Sequence, residues 1–168
     1  MKNYLVLLLK LNRKNMQGFT LIELLVVIII LGILAAIAIP SLLGQVAKGR
    51  QAEARVALGL INRAQQGYRY EKGTFGTLPE LSLEAATISL KFYDIRDVGS
   101  PDAFGAAYQA KAVPKFDDEI KNYAGAAGQT AAGAYTGIIC EDQTPFEDNV
   151  STSNDAGILS CVDGIRIN

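Results

Sequence analysis

The run FTLIELLVVIIILGILAAIAI at residues 19–39 constrains this chain more than any other feature, because its 21 residues carry a single charge, Glu23. A helix of that length rises about 31 Å, the thickness of the hydrocarbon core of a bilayer. The run therefore predicts a membrane-spanning helix, with Gly32 in its interior and Pro40 closing it. Residues 1–18 ahead of it hold Lys2, Lys10, Arg13 and Lys14 and no acid. Such a flank stays on the cytoplasmic side of the membrane. Within it, the apolar run Tyr4–Leu9 is short for a signal-peptide core, and no small-x-small cleavage site follows.

Beyond Pro40 the pattern changes from uniformly apolar to periodic. Apolar or small residues recur every three or four positions at Leu42, Val46, Gly49, Ala52, Val56, Leu60, Ala64 and Tyr68, with Arg50, Arg55, Arg63 and Arg69 on the other faces. This is the signature of an amphipathic helix over 41–72. It is expected to continue the membrane helix with a mild kink at Pro40, where one backbone hydrogen bond is lost. About 50 helical residues make a rod of roughly 80 Å that leaves the bilayer carrying a soluble head.

Gly73, Gly76 and Pro79 then break the periodicity. Segments 88–98, 107–113, 122–127 and 134–140 have strand character, separated by glycine-rich or charged turns. Three or four antiparallel strands packed on the amphipathic half-helix give an α+β fold. The residues from Glu141 to Asn168 read mostly as loop. Cys140 and Cys161 are the only thiols. They form either a disulfide, if this part is exported, or a buried thiol pair, if it is not. A bridge would close a loop of about 22 residues and contribute about 3 kcal/mol.

Composition excludes several kinds of chemistry. No histidine occurs among the 168 residues, which removes histidine-based acid–base catalysis, the Ser-His-Asp and Cys-His systems and the usual zinc sites. The stretch GAAGQTAAGAYTG has the glycine spacing of a phosphate loop, but Ala134 and Tyr135 stand where Lys and Ser/Thr are required, so it reads as strand and turn. The acids Asp117–Glu119, Glu141–Asp142 and Glu147–Asp148 lack calcium-loop spacing and read as solvated turns. Tyr68, Arg69 and Tyr70 with Phe75 are expected to pack the helix end on the sheet rather than to stack on bases. Asn149 opens a weak glycosylation sequon.

The junction Gly18-Phe19-Thr20-Leu21-Ile22-Glu23, followed by the apolar helix to Ile39, Pro40 and a C-terminal cysteine pair, resembles the type IV pilin family and the related pseudopilins of type II secretion. The N-terminal part of the resemblance covers about 55 residues. It implies a leader over 1–18, a transmembrane and filament-core helix over 19–40, an amphipathic stem over 41–72, and a β head over 73–168 closed by a Cys140–Cys161 disulfide loop. It implies cleavage between Gly18 and Phe19 by a prepilin peptidase that also methylates the Phe19 amine. Glu23, with Thr20 beside it, becomes an assembly residue. A carboxylate in an apolar bundle needs a partner, and the new amine one helical turn away is cationic at neutral pH. Gly32 and Pro40 bracket a segment that can kink or unwind.

By that resemblance the chain is a structural subunit, not an enzyme, with no cofactor or metal. Its partners are further copies in a helical filament, the peptidase-methyltransferase and the inner-membrane assembly machinery. It sits in the inner membrane first and on the cell surface afterwards, serving twitching motility, adhesion and DNA uptake. A type II secretion pseudopilin or minor pilin is the alternative, and a signal-anchored enzyme or binding domain is a third reading. The formal net charge of −1 divides into +4 over 1–18, −1 over 19–40, +4 over 41–72 and −8 over 73–168. The acidic head argues against direct binding of nucleic acid.

Overall fold

A computed structural model describes residues 18–83, 89–145, 151–162 and 164–167. The leader ahead of Gly18, the apolar run Tyr4–Leu9, the Glu147–Asp148 pair and Asn149 lie outside the described residues. Helix α1 (Leu21–Lys72) is 52 residues long and runs through Gly32 and Pro40 without interruption. A short 3-10 helix (Leu78–Leu81) follows. Then come strands β1 (Tyr93–Val98), β2 (Gly105–Ala112), β3 (Tyr123–Gln129), β4 (Tyr135–Glu141), β5 (Ser151–Asp155), β6 (Ile158–Val162) and β7 (Ile165–Arg166). The chain forms two compact units that divide within α1, between Leu43 and Gly44.

The first unit is the apolar half of α1, none of whose described side chains is buried. Leu21 is 89% and Ile37 73% exposed, which is the surface expected of a helix whose solvent is lipid rather than water. The second unit is an α+β fold. Its five-stranded antiparallel sheet has the order β1-β2-β3-β4-β7 and packs on the remaining half of α1. The four expected strands fall at β1 to β4, the last three close to their expected limits and β1 confined to the second half of the expected 88–98.

The C-terminal stretch departs from expectation, since it is strand rather than loop. β5 and β6 form a hairpin, and β7 adds to the sheet beside β4. Strand β5 is STSND, polar at every position and therefore without the apolar alternation that marks a strand. The hairpin turns on Ala156 and Gly157, both at positive φ (47° and 86°), while Asn154 Oδ1 accepts the Gly157 N–H at 2.8 Å. Two positive φ values in a two-residue loop match the twist of the flanking strands. A Cβ on Gly157 would sit 2.3 Å from the Gln129 carbonyl.

The face of α1 that meets the sheet also differs from the expected stripe. Ala54, Ala57, Leu58, Ile61, Asn62 and Gln65 are buried, whereas Val56 is 64% and Leu60 44% exposed. Both sets recur at helical spacing, but two polar members hide the true core stripe. Asn62 and Gln65 are buried because each has partners. The Tyr108 hydroxyl donates to Asn62 Oδ1, while Gln65 Nε2 donates to Gly76 O at 2.6 Å and its Oε1 accepts Gly76 N–H at 3.1 Å. That paired clamp fixes the loop after α1 and satisfies groups that would otherwise be orphaned in the core. The sheet comes close to the helix because β3 is glycine- and alanine-rich and β4 places Gly137 over Asn62, where an added Cβ would lie 3.0 Å from its side chain. A Cβ on Gly125 would lie 3.3 Å from the Leu58 side chain of the helix and 2.3 Å from the Tyr108 ring on β2.

Three tyrosines, Tyr93, Tyr108 and Tyr123, fill the core. Their hydroxyls reach Lys121 O, Asn62 Oδ1, and Glu141 Oε2 together with Gln51 Oε1. Burial raises the pKa of each, and the Glu141 carboxylate adds to the shift at Tyr123. Burial also pushes Tyr135 up to about 12. In the unfolded chain a phenol ionises near pH 10. These groups therefore leave stability untouched below pH 10, and stability falls as pH climbs through 10 to 12 and beyond, where only the unfolded state gives up protons readily. Denaturant titrations at stepped pH, with phenolate absorbance at 295 nm, should show this alkaline loss. An unfolding midpoint flat from pH 10 to 12 would contradict it.

Two further side-chain roles replace the expected ones. Arg50 lies over the rings of Phe92 (5.3 Å) and Phe116 (4.5 Å) and pairs with Glu119. Glu141 pairs with Lys121 at 2.9 Å and Asp142 is fully buried, so this acidic pair is not a solvated turn. Tyr68 packs against the core as expected, but Tyr70 is 93% exposed and does not.

Candidate assembly interface

Gly18 and Phe19 lie outside the helix, in exposed backbone, with the Phe19 ring 78% exposed. Thr20 caps α1. Its N–H and its hydroxyl both donate to Glu23 Oε2, at 3.1 and 2.9 Å, and its Oγ1 accepts the Glu23 N–H at 3.2 Å. This is a capping box, T-x-x-E, in which hydroxyl and carboxylate satisfy two backbone donors reciprocally. The spacing was visible in Thr20-Leu21-Ile22-Glu23, so the sequence held a signal for the role of Thr20 that the pairing argument passed over. The box halts the helix at Leu21 and leaves the Gly18–Phe19 peptide bond in non-helical chain.

Glu23 also sits in a shallow groove of about 380 Å³ with Phe19, Ile22, Val26 and Val27. It is the one charged group lining that groove among the described residues. The apolar walls suit another helix or lipid, and the carboxylate suits a cation. Gly32 and Pro40 lie further along the same helical half, and an added Cβ on Gly32 would touch nothing.

In the second unit, α1 presents a face that the sheet does not cover. Val46 (43% exposed), Val56 and Leu60 lie on exposed helix, and a groove of about 440 Å³ runs between Gly49, Ala52, Glu53, Val56, Leu60 and Leu90. Gly44, Gly49, Gly59 and Gly67 lie in this part of α1, and a Cβ on any of them would meet nothing within 4 Å. Glycine inside a helix costs about 1 kcal/mol relative to alanine. No contact among the described residues requires these glycines, and small residues on a helix are what allow a second helix to approach closely. Val46, Gly49, Val56 and Leu60, members of the expected apolar stripe, belong instead to this uncovered face.

Cys140 and Cys161 are bonded in the second unit, with Cα atoms 5.8 Å apart. Cys140 is buried beside Ala124, Ala126, Ile138 and Leu159. The bridge ties the β5–β6 hairpin to the sheet and takes no part in the exposed helix face.

Comparison with known proteins adds to this geometry. Residues 51–161 match the sequence model of the type IV pilin-like G and H family, and residues 13–39 match the prokaryotic N-terminal methylation motif. The chain is similar to the type IV major pilin protein PilA of Myxococcus xanthus, with 45% identity over 64 residues, covering 38% of this chain and 29% of that protein. It is also similar to the fimbrial protein EcpC of Eikenella corrodens, at 41% over 76 residues, covering 45% of this chain and 50% of the relative. A third relative is the type II secretion system core protein G of Vibrio cholerae, at 36% over 72 residues, covering 43% and 49%. The matched stretches thus span half or less of these relatives.

Proposed function

This chain belongs to the type IV pilin-like G and H family, and on that premise we propose that it is the polymerising subunit of a type IV pilus. At the coarser level it is a subunit of the pilin or pseudopilin kind, a structural family rather than an enzymatic one. In our reading, residues 1–18 are a leader cut between Gly18 and Phe19, and Phe19 becomes a methylated N-terminus. Residues 19–40 anchor the subunit in the inner membrane and later form the filament core. The stem over 41–72 and the head over 73–168 form the outer part, closed by the Cys140–Cys161 bridge. The partners are further copies of the chain, the processing enzyme and the assembly machinery. Twitching, adhesion and DNA uptake belong to the filament, not to any chemistry of the subunit.

The observation that supports this reading is a pair of unmatched surfaces on one helix. The apolar half has no buried side chain, and the other half has an uncovered face with an apolar groove beside Gly49. When the apolar half leaves lipid, something must cover it, and a polymer of the same chain supplies apolar helix faces in equal number. The likeness to core protein G of type II secretion favours a second reading, a pseudopilin of a secretion machine.

Two measurements test the proposal. Intact-mass spectrometry of the purified protein should give a chain beginning at methylated Phe19, and a retained leader defeats the processing claim. Electron microscopy of cells lacking the chain should show loss of all surface fibres. Full-length fibres together with blocked protein secretion would instead mark a pseudopilin, and shorter or fewer fibres a minor subunit.

A further inference from the structure

A third cleft, built from different residues, opens where the last turns of α1 meet the β3–β4 hairpin. It encloses about 420 Å³ and is lined by Gln66, Arg69, Tyr70, Gly73, Gln129 and Tyr135, with Gly133 at the hairpin tip. Its chemistry differs from the rest of the head. Over 73–168 the chain carries −8, yet among the described residues no carboxylate lines this cleft and one guanidinium does.

Several of its groups are fixed before anything binds. Arg69 donates through Nη1 to Gly73 O and lies 5.9 Å over the Phe75 ring. Its Nε is buried without a hydrogen-bond partner among the described residues, so an anion in the cleft is met by the outer guanidinium nitrogens. The Tyr135 hydroxyl is pinned on Asn62 O, and Gln129 Nε2 donates to Gly133 O at 2.9 Å. Tyr70 projects freely, 93% exposed at the rim, and Gln66 beside it is exposed as well. Gly73 and Gly133 take φ of 76° and 85°, turns that bring helix end and hairpin tip to the two sides of the cleft.

From these groups we infer that the cleft binds a short acidic saccharide, a sugar chain bearing carboxylates. The guanidinium takes a carboxylate by charge-assisted hydrogen bonds. Gln66 and Gln129 offer planar amides that donate to one hydroxyl and accept from its neighbour. The bare Tyr70 ring supplies an apolar face with a polar tip, suited to the apolar face of a sugar ring. Neither a neutral sugar nor a purely apolar ligand uses all three kinds of group.

The test uses the full chain in detergent and two probes, trigalacturonate and the neutral maltotriose, followed by isothermal titration calorimetry. Trigalacturonate should bind and maltotriose should bind about tenfold more weakly or worse. Tyr70→Ala should weaken trigalacturonate by about tenfold, and its ring is too exposed for the fold to depend on it. Arg69→Gln should remove the preference for the acidic probe, with circular dichroism confirming an unchanged helix content. Failure of trigalacturonate to bind at millimolar concentration overturns the inference. So does equal binding of maltotriose, or unchanged affinity in Tyr70→Ala.

Discussion

Glu23→Ala should abolish surface filaments while leaving the subunit inserted in the membrane. Insertion becomes easier, because removing a carboxylate from a spanning segment removes its desolvation cost. Assembly becomes harder on the pairing argument, because an amine at Phe19 of a neighbouring copy then enters an apolar bundle without its counter-charge. Stripping one partner from a buried ion pair costs about 3–5 kcal/mol, which weakens each subunit contact by about a hundredfold or more. The capping box complicates that substitution, since Glu23 also holds Thr20 at the helix end. Loss of a cap costs about 1 kcal/mol, too little by itself to empty the cell surface of fibres. Glu23→Gln separates the two roles, because glutamine serves as well as glutamate at the third position of a capping box but carries no charge. Filament counts by electron microscopy, beside membrane-fraction immunoblots, give the readout. Both variants should lack fibres while the subunit stays in the membrane. Normal fibres in Glu23→Gln would reduce Glu23 to a helix cap and remove the pairing argument.

The parts of the fold that could be read from the sequence were those where one residue pattern serves one purpose. A run of 21 residues with one charge has few destinations other than a bilayer or an apolar bundle. The strands β1 to β4 announce themselves through turns at glycine and through partial alternation. The helix face was misread because two stripes of the same period share 41–72, and only the partners of Asn62 and Gln65, Tyr108 and Gly76, reveal which stripe is buried. Those partners lie 46 and 11 residues away, beyond the reach of local periodicity. Strand β5 escaped notice for a related reason. Its residues Ser151–Asp155 are polar, and what makes them a strand is the partner β6 and the seat it finds on β3, where Leu159 lies against Gly128. At the candidate interface, Gly18, Phe19 and Glu23 were legible as a motif. The glycines at 44, 49, 59 and 67 became informative only when nothing in the subunit was found against them.

Removing the disulfide should cost the head about 3 kcal/mol, within a general range of 2–5. Cys140 and Cys161 are 21 residues apart, and reduction frees a loop of that length in the unfolded chain, which supplies the entropic part of the loss. The structure adds a local part. β5 and β6 form a two-stranded sheet of their own, and an isolated hairpin of two strands is marginal in water. Among the described residues, the bridge, the Leu159 side chain packed on Ala124, Ala126 and Ile138 beside Gly128, the Gly157 turn against Gln129 and the Asn154 side chain beside Gly105 tie it to the rest. In the double variant Cys140→Ala with Cys161→Ala, the β5–β6 amides should therefore lose protection from hydrogen exchange before those of β2 and β3, and the global unfolding midpoint should drop. Alanine is the suitable replacement at Cys140, because a serine hydroxyl would enter a pocket of Ala124, Ala126, Ile138 and Leu159 with its own burial cost. Hydrogen exchange by mass spectrometry, with denaturant unfolding of the full chain in detergent, separates the two effects. An unchanged midpoint with the hairpin amides still protected would mean that apolar contacts alone seat the hairpin. A lowered midpoint with uniform loss of protection would mean that the bridge acts only on the unfolded chain.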